Sequence, residues 1–175
     1  MKKILLTGFE PFNNSLFNSS DLLVRELAEK LRLPFLILPV SYKASIHNLN
    51  QYLGKHECDF VLMLGQADRK EICLERVGLN LKDAKIPDSE GVLALGEKID
   101  PKGEGAIFSE LPLAKWTENS EMIVSNSAGT YVCNLLYYKI LQGSYKNKCL
   151  FVHVPSVIEN KDKVVRDLSG LIKKI

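Results

Sequence analysis

The sequence lacks the features that mark several protein classes. No apolar run approaches the about eighteen residues needed to cross a bilayer, so no membrane span is predicted. None of the four cysteines forms a CxxC pair, and we therefore expect no metal site. The 23 basic and 21 acidic residues leave a formal net charge of only +2. That balance gives no indication of nucleic acid as a partner.

The first residues do not predict a secretory signal. Lys2 and Lys3 precede a short apolar run that is broken at Gly8, without the longer apolar segment and small-residue cleavage site of a signal peptide. We therefore expect a cytoplasmic protein whose cysteines are free thiols. A chain of 175 residues that is 46% hydrophobic and 25% charged has the composition of a globular protein, and its length predicts one domain over residues 1–175.

Short apolar runs alternate with amphipathic segments in the first part of the chain. The predicted strands are Lys3–Thr7, Phe35–Val40 (buried on both faces) and Asp59–Leu64. The predicted helices between them are Asp21–Leu31, capped by Ser19 or Ser20, and Ser45–Leu53. This alternation predicts an α/β fold, a single-domain three-layer α/β/α sandwich with a mostly parallel twisted sheet.

The pattern changes after the third strand. Ile72–Lys82 alternates apolar and polar residues, as a half-exposed strand does. Residues 83–113 are rich in Gly and Pro and predict functional loops with a small hairpin. The remaining predicted elements are a strand at Met122–Ser125, a helix at Gly129–Leu141, a strand at Cys149–Val154 and a last helix capped by Asn160.

Three side chains are candidates for chemistry at the ends of these elements, where open parallel sheets hold their sites. Cys133 falls in the first turns of a predicted helix, where the helix dipole should lower its pKa and favour the thiolate. Taken alone, its position is weak evidence for a nucleophile, and a buried small hydrophobic residue explains it better. His153 is the only histidine at a strand end, and it is either a catalytic base or a structural side chain. Glu75 alone fits a surface ion pair with Arg76.

Five segments together resemble the pyroglutamyl peptidase I family of cysteine peptidases. They occur in the family's order: Leu6–Phe12, Glu75–Asn80 with Asp83–Asp88, Phe108–Pro112, Ser125–Asn134 and His153–Pro155. The resemblance implies a triad of Glu75, Cys133 and His153. It implies hydrolysis of the bond after an N-terminal pyroglutamyl residue of a peptide, through a thioester acyl-enzyme and without a cofactor. It is compatible with a homodimer or a homotetramer.

The resemblance also implies which residues surround the substrate. The side chains that would form the pocket around the pyroglutamyl ring are Phe9, Phe12, Gln66, Ile86, Tyr131 and Val132. The backbone N–H of Cys133 and the side chain of Lys85 would stabilise the oxyanion.

Two departures from the family pattern leave alternatives open. Lys85 replaces an arginine and loses its planar fork of donors, and the turn at Asp68-Arg69 is one residue shorter than in the family. One alternative is a related cysteine hydrolase acting on another small lactam or acyl amide. The other is a binding protein that has lost efficient catalysis, which the presence of all three triad residues argues against.

Overall fold

A computed structural model describes residues 2–175, and eight strands and five helices form in that part of the chain. In chain order they are β1 (Ile4–Phe9), α1 (Ser19–Leu31), β2 (Phe35–Leu38), α2 (Ala44–Leu53), β3 (Phe60–Ala67), β4 (Cys73–Glu75), β5 (Val77–Leu79), β6 (Ala106–Phe108), α3 (Leu113–Thr117), β7 (Ile123–Ser125), α4 (Val132–Gln142), β8 (Cys149–Pro155) and α5 (Lys161–Lys174).

Six strands form the main sheet, in the order β2-β1-β3-β8-β4-β7. The first four strands in this order, β2, β1, β3 and β8, are parallel to one another. β4 is antiparallel to β8, and β7 is parallel to β4. β5 and β6 pair separately as a small antiparallel sheet. The predicted mostly parallel sheet is confirmed, with one reversal of direction between β8 and β4.

Side-chain alternation on the central strands divides the core into two layers. One face of β3 and β8 packs with α1 and α5 through Leu62, Leu64, Leu150 and Val152. The other face packs with α2 and α4 through Val61, Met63, Cys149 and Phe151. Strand residues two apart share a face, so His153 lies on the α4 side of the sheet with Phe151. These two buried layers confirm the predicted three-layer sandwich.

Two predicted features of the first half are wrong in detail. α1 begins at Ser19 because Asn18, rather than Ser19 or Ser20, is the N-cap, and its side chain accepts a hydrogen bond from Ser20 N. β2 is not buried on both faces. It is the edge strand of the sheet and has one neighbour, so Phe35 remains 40% exposed.

The segment predicted as one half-exposed strand is divided in two. The chain leaves β4 at the exposed Arg76 and enters β5, which pairs with the distant β6. The small hairpin predicted within residues 83–113 is therefore wrong, because β6 takes its partner from outside that segment. β4 is buried throughout, because it is inserted between β8 and β7. The reversal places Glu75 at the junction of the two sheets. The sequence did not predict α3, whose Trp116 packs into the core.

Candidate active site

The helix that carries Cys133 begins later than predicted. Gly129 has a φ of +78°, a conformation that favours glycine, and Tyr131 is extended, so α4 starts at Val132 instead of Gly129. Cys133 is therefore the second residue of the helix. No side chain caps this end, and so the first backbone N–H groups of α4 stay available to a ligand.

The Cys133 thiol packs against a strand position that has no side chain. A Cβ added to Gly65 would lie 2.9 Å from Cys133 Sγ and 2.8 Å from Phe151 Cζ. In the β3–β8 register, Gly65 is the direct partner of His153. The nucleophile candidate is thus held beside the histidine strand because glycine occupies this position.

His153 and Glu75 meet across the antiparallel pair of β8 and β4. Cys73 is the register partner of His153, so Glu75, two residues along, lies diagonally opposite on the same face. His153 Nδ1 and Glu75 Oε1 are 2.7 Å apart. Both side chains are buried, Glu75 completely and His153 with 5% exposure. The surface ion pair that fitted Glu75 taken alone is excluded by this burial.

Arg69 makes a second contact to the same carboxylate oxygen. Its Nη1 donates to Glu75 Oε1 at 3.1 Å and to Ser125 Oγ at 3.0 Å, while its Nη2 donates to Ser127 O at 2.9 Å. Burial acts to lower the pKa of Arg69, but hydrogen bonds and charge attraction from Cys73 and Glu75 outweigh it and the pKa is raised. The shortened turn therefore places a permanent cation beside Glu75.

The expected lowering of the Cys133 pKa is wrong. Burial of the thiol raises its pKa to about 12, and the negative charge of Glu75 acts in the same direction. The backbone N–H of Cys133 itself favours the thiolate, but it is the smaller effect. Within residues 2–175 no hydrogen bond joins Cys133 to His153. Forming a thiolate here requires that the proton be taken up nearby.

Two side chains of α4 bind this helix to the segment that runs from Glu75 at the end of β4 through β5. Asn134 donates to Leu79 O at 2.9 Å and to Leu81 O at 3.0 Å, and it accepts from Leu79 N at 2.8 Å. Tyr137 donates its hydroxyl to the backbone O of Glu75 at 2.8 Å. The spacing between Cys133 and the β4–β5 junction is set by these buried hydrogen bonds.

A cavity of about 130 Å³ opens beside the thiol. Its lining is mostly apolar: Phe9, Phe12, Asn18, Val40, Gln66, Tyr131, Val132 and Cys133. Tyr131 packs against Phe12 with ring centroids 6.1 Å apart. The oxygen of the Gln66 side chain accepts a hydrogen bond from Ser19 N at 3.0 Å, which leaves the NH₂ group of Gln66 for a ligand. The cavity can take a small ring that has few polar atoms.

The structure brings five of the six predicted pocket side chains to this cavity and leaves Ile86 outside it. The sequence missed Asn18 and Val40. Asn18 could have been found as the N-cap that follows a strand-end loop, but its side chain is occupied by Ser20 and the backbone O of Glu10. Val40 gave no signal beyond its place after an apolar run.

Lys85 and Ile86 lie on a loop that is anchored by its backbone. Thr130 exchanges two hydrogen bonds with Asp83, and Tyr131 donates its hydroxyl to Pro87 O at 2.9 Å. Both side chains are nevertheless exposed, and neither lines the cavity. The predicted oxyanion role of Lys85 therefore has the support of the loop's attachment next to Cys133 and no direct contact.

The larger grooves of the protein lie away from the triad. Wider grooves of about 560 and 570 Å³ lie at the opposite ends of the strands, where β3 and β8 begin. Within residues 2–175, no three His, Cys, Asp or Glu side chains are grouped as metal ligands. No helix in that range has the length and apolar character of a membrane span.

The chain is similar to known proteins over almost its whole length. A family model described as pyroglutamyl peptidase matches residues 2–169. The pyrrolidone-carboxylate peptidase of Thermosipho africanus is 38% identical over an alignment of 190 positions. The alignment covers 99% of this chain and 93% of that protein. The pyrrolidone-carboxylate peptidase of Bacillus subtilis is 33% identical over 183 residues, covering 96% and 85% of the two chains.

Solved structures show the same similarity. Pyroglutamyl peptidase I of Bacillus amyloliquefaciens superimposes with a TM-score of 0.88 at 30% identity, covering 98% of this chain and 95% of that chain. The pyrrolidone carboxyl peptidase of Fervidobacterium islandicum AW-1 superimposes with a TM-score of 0.84 at 31% identity, with the same coverage.

Proposed function

Because the chain belongs to the pyroglutamyl peptidase family, we propose that it is a cysteine peptidase that removes pyroglutamate from the N-terminus of peptides. In this proposal residues 1–175 act as one catalytic domain, and Cys133, His153 and Glu75 form the triad. The observation that carries it is the arrangement around Gly65: the thiol packs on this residue, beside a histidine that is hydrogen bonded to a buried carboxylate.

The raised pKa of Cys133 determines how the nucleophile must form. Nδ1 of His153 is engaged by Glu75, so Nε2 is the nitrogen left to accept the thiol proton. The resulting imidazolium lies between a thiolate and the Glu75 carboxylate, and it offsets both negative charges. Nucleophile and base are therefore charged together, and a lone thiolate near Glu75 is avoided.

The chemistry then follows in two stages. The Cys133 sulfur attacks the carbonyl carbon of the pyroglutamyl residue, and the oxyanion accepts hydrogen bonds from the uncapped start of α4, including the N–H of Cys133. His153 passes its proton to the leaving amine, which departs as the shortened peptide. Water, deprotonated by His153, hydrolyses the thioester and releases pyroglutamate. The side chain of Lys85, which is exposed on the anchored loop next to Cys133, turns toward the bound substrate and assists at the oxyanion.

The cavity supports a preference for the lactam ring. The ring is small and uncharged, whereas an ordinary N-terminus carries an ammonium group that would lose its water among Phe9, Val40 and Val132. The free NH₂ group of Gln66 is placed to donate to the lactam carbonyl. Phe12 and Tyr131 supply the flat walls, and the exposed side chain of Ile86 adds a further wall when it turns toward the substrate.

A paired fluorogenic assay tests the function. Pyroglutamyl and alanyl derivatives of one fluorogenic amine are incubated with the wild-type protein and with Cys133→Ser. The control is Cys58→Ser, which removes a thiol just before β3, at the opposite ends of the strands. We expect release from the pyroglutamyl substrate alone, abolished only by Cys133→Ser. Release from another lactam or acyl amide instead would support altered specificity. A folded, reduced protein that binds pyroglutamyl peptides without cleaving them would support the binding homologue.

Assembly and location are separate parts of the proposal. We propose a homodimer or a homotetramer in the cytoplasm, acting on peptides and on neither nucleic acid nor membranes. Several large apolar side chains are exposed in the single chain, among them Leu16 (93%), Leu95 (69%) and Val157 (76%), and contact with a partner copy would remove such side chains from water. Sedimentation velocity over a range of protein concentrations tests the assembly, and a monomer at all of them would contradict it.

A further inference from the structure

Arg69 links three segments that carry or support the triad. It lies at the end of a tight turn after β3, in which Arg69 N donates to Ala67 O at 2.8 Å. Its guanidinium contacts Glu75 at the end of β4, Ser125 at the end of β7 and Ser127 in the loop before α4. The loop from Ser125 leads directly into the helix of Cys133. One side chain thus joins the acid of the triad to the segment that supplies the nucleophile.

The contact between Arg69 and Glu75 is not an ordinary surface ion pair. Glu75 is completely buried, and its Oε1 accepts from both Arg69 and His153. Its other oxygen, Oε2, has no hydrogen-bond partner among the described residues. Because Oε2 has no partner, the orientation of this buried carboxylate depends on the two side chains that contact Oε1.

We propose that Arg69 is a positioning residue for this triad, which holds the Glu75 carboxylate oriented toward His153 Nδ1 and fixes the loop that leads to Cys133. Arg69 touches no reacting atom. It acts through Glu75, whose carboxylate keeps His153 in the tautomer with a proton on Nδ1. The planar fork suits this task, since one Nη bridges Glu75 and Ser125 while the other reaches Ser127.

The charge of Arg69 also affects the pH at which the site works. The titratable groups that face Glu75 are His153 from β8, Cys133 and Tyr137 from α4, and Arg69 from the turn after β3. Removing the cation takes away a positive charge that lies 3.1 Å from the Glu75 carboxylate, beside the imidazole that must accept the thiol proton. That charge then no longer opposes proton uptake at the triad, so the acid limb of the activity profile moves upward.

The test compares Arg69→Met and Arg69→Lys with Lys70→Met, an exposed neighbour on the same turn. For Arg69→Met we expect kcat to fall about 10- to 100-fold with little change in KM, and the acid limb of kcat/KM to move to higher pH. Arg69→Lys keeps the charge without the fork, so it should keep the wild-type acid limb at a reduced kcat. Lys70→Met should match the wild type. Ethylguanidine should restore part of the lost activity to Arg69→Met.

A second readout separates this proposal from the proposed function on which it rests. The rate of Cys133 alkylation by iodoacetamide, followed by mass spectrometry across pH, reports the thiolate without any substrate. An upward shift of its acid limb in Arg69→Met supports the positioning role even if the protein does not cleave pyroglutamyl amides. Wild-type kcat and wild-type alkylation profiles in Arg69→Met would overturn it.

Folding of the variants is checked by thermal unfolding. If Arg69→Met does not fold, Arg69→Lys and Ser125→Ala decide the question, because each removes only part of the network. A lowered kcat at unchanged KM in these two variants supports the proposal, and wild-type kcat in both overturns it.

Discussion

The buried carboxylate of Glu75 and the exposed side chains of Lys85 and Ile86 differ in how their positions are fixed. Glu75 is completely buried and contacts His153 and Arg69, so its place is determined by side-chain partners. The loop is anchored to Thr130 and Tyr131 through its backbone and to Tyr42 N through the buried Asp88. The side chains of Lys85 and Ile86 nevertheless remain in water. A buried charge must be paired, whereas an exposed charge has water as a partner and needs no fixed position.

That difference divides the site into a rigid part and an adaptable part. The triad, with its supporting Arg69, Asn134 and Tyr137, is assembled by contacts between distant segments of the chain. The loop at residues 83–88 is free to adjust its side chains to the substrate. Substitutions in the first part should therefore change the chemistry, and substitutions in the second should have smaller effects.

The largest effect is expected for Glu75→Gln. The substitution keeps the size of the side chain but removes the charge that stabilises the imidazolium, so kcat should fall about 10³- to 10⁴-fold. Glu71→Gln removes an exposed carboxylate just before β4 and serves as the control. Steady-state kinetics on a pyroglutamyl amide measure both. A Glu75→Gln protein within tenfold of the wild type would show that the rigid part does not set the rate.

Gly65→Ala tests the close packing of the thiol. The new Cβ would meet Cys133 Sγ at 2.9 Å and Phe151 at 2.8 Å, so the nucleophile must move. We expect kcat to fall about 100-fold and the free energy of unfolding to drop by about 1–3 kcal/mol. Gly105→Ala is the matched control, since no atom lies within 4 Å of its added Cβ. Kinetics and chemical denaturation give the result, and equal kcat in the two variants would contradict the packing argument.

Lys85→Met probes the adaptable part. Because the Lys85 side chain must leave water to reach the oxyanion, its removal should lower kcat about tenfold, less than the loss of a preorganised donor. Lys85→Arg should retain activity, because the charge is kept and the donor fork is gained. Lys98→Met, which removes another exposed lysine, is the control. Equal kcat for Lys85→Met and the wild type would remove Lys85 from the catalytic proposal.

The smallest effect concerns stability at high pH. Burial raises the Cys133 pKa from 9.0 to about 12, so the folded protein keeps this proton more tightly than the unfolded chain. The resulting stabilisation is fully present below pH 9.0 and is lost as the pH rises toward about 12. Cys133→Ser lacks this titration and should lose less stability over that range. Denaturation curves at several pH values measure the difference, and parallel curves would show that the thiol pKa is not raised.

Much of the fold and of the candidate site could be predicted from the sequence. Alternating apolar runs and amphipathic segments predicted the layers and the parallel sheet, since hydrophobic periodicity is a local property. The motif from Ser125 to Asn134 pointed to Cys133. The predictions that failed concern features that depend on neighbouring elements. β2 is an edge strand, and the pKa of Cys133 is raised because burial outweighs the effect of the backbone N–H.

By itself, the sequence determined the fold class, the family and the three residues proposed for the chemistry, because these follow from local patterns and motif order. The tertiary structure alone decided how those residues meet. It inserted β4 antiparallel beside β8, placing Glu75 against His153 across 78 positions of the chain. It also gave Arg69 its partners. The physical reason is that a buried polar group takes its partners from whatever the packed strands bring near, and no local periodicity specifies them.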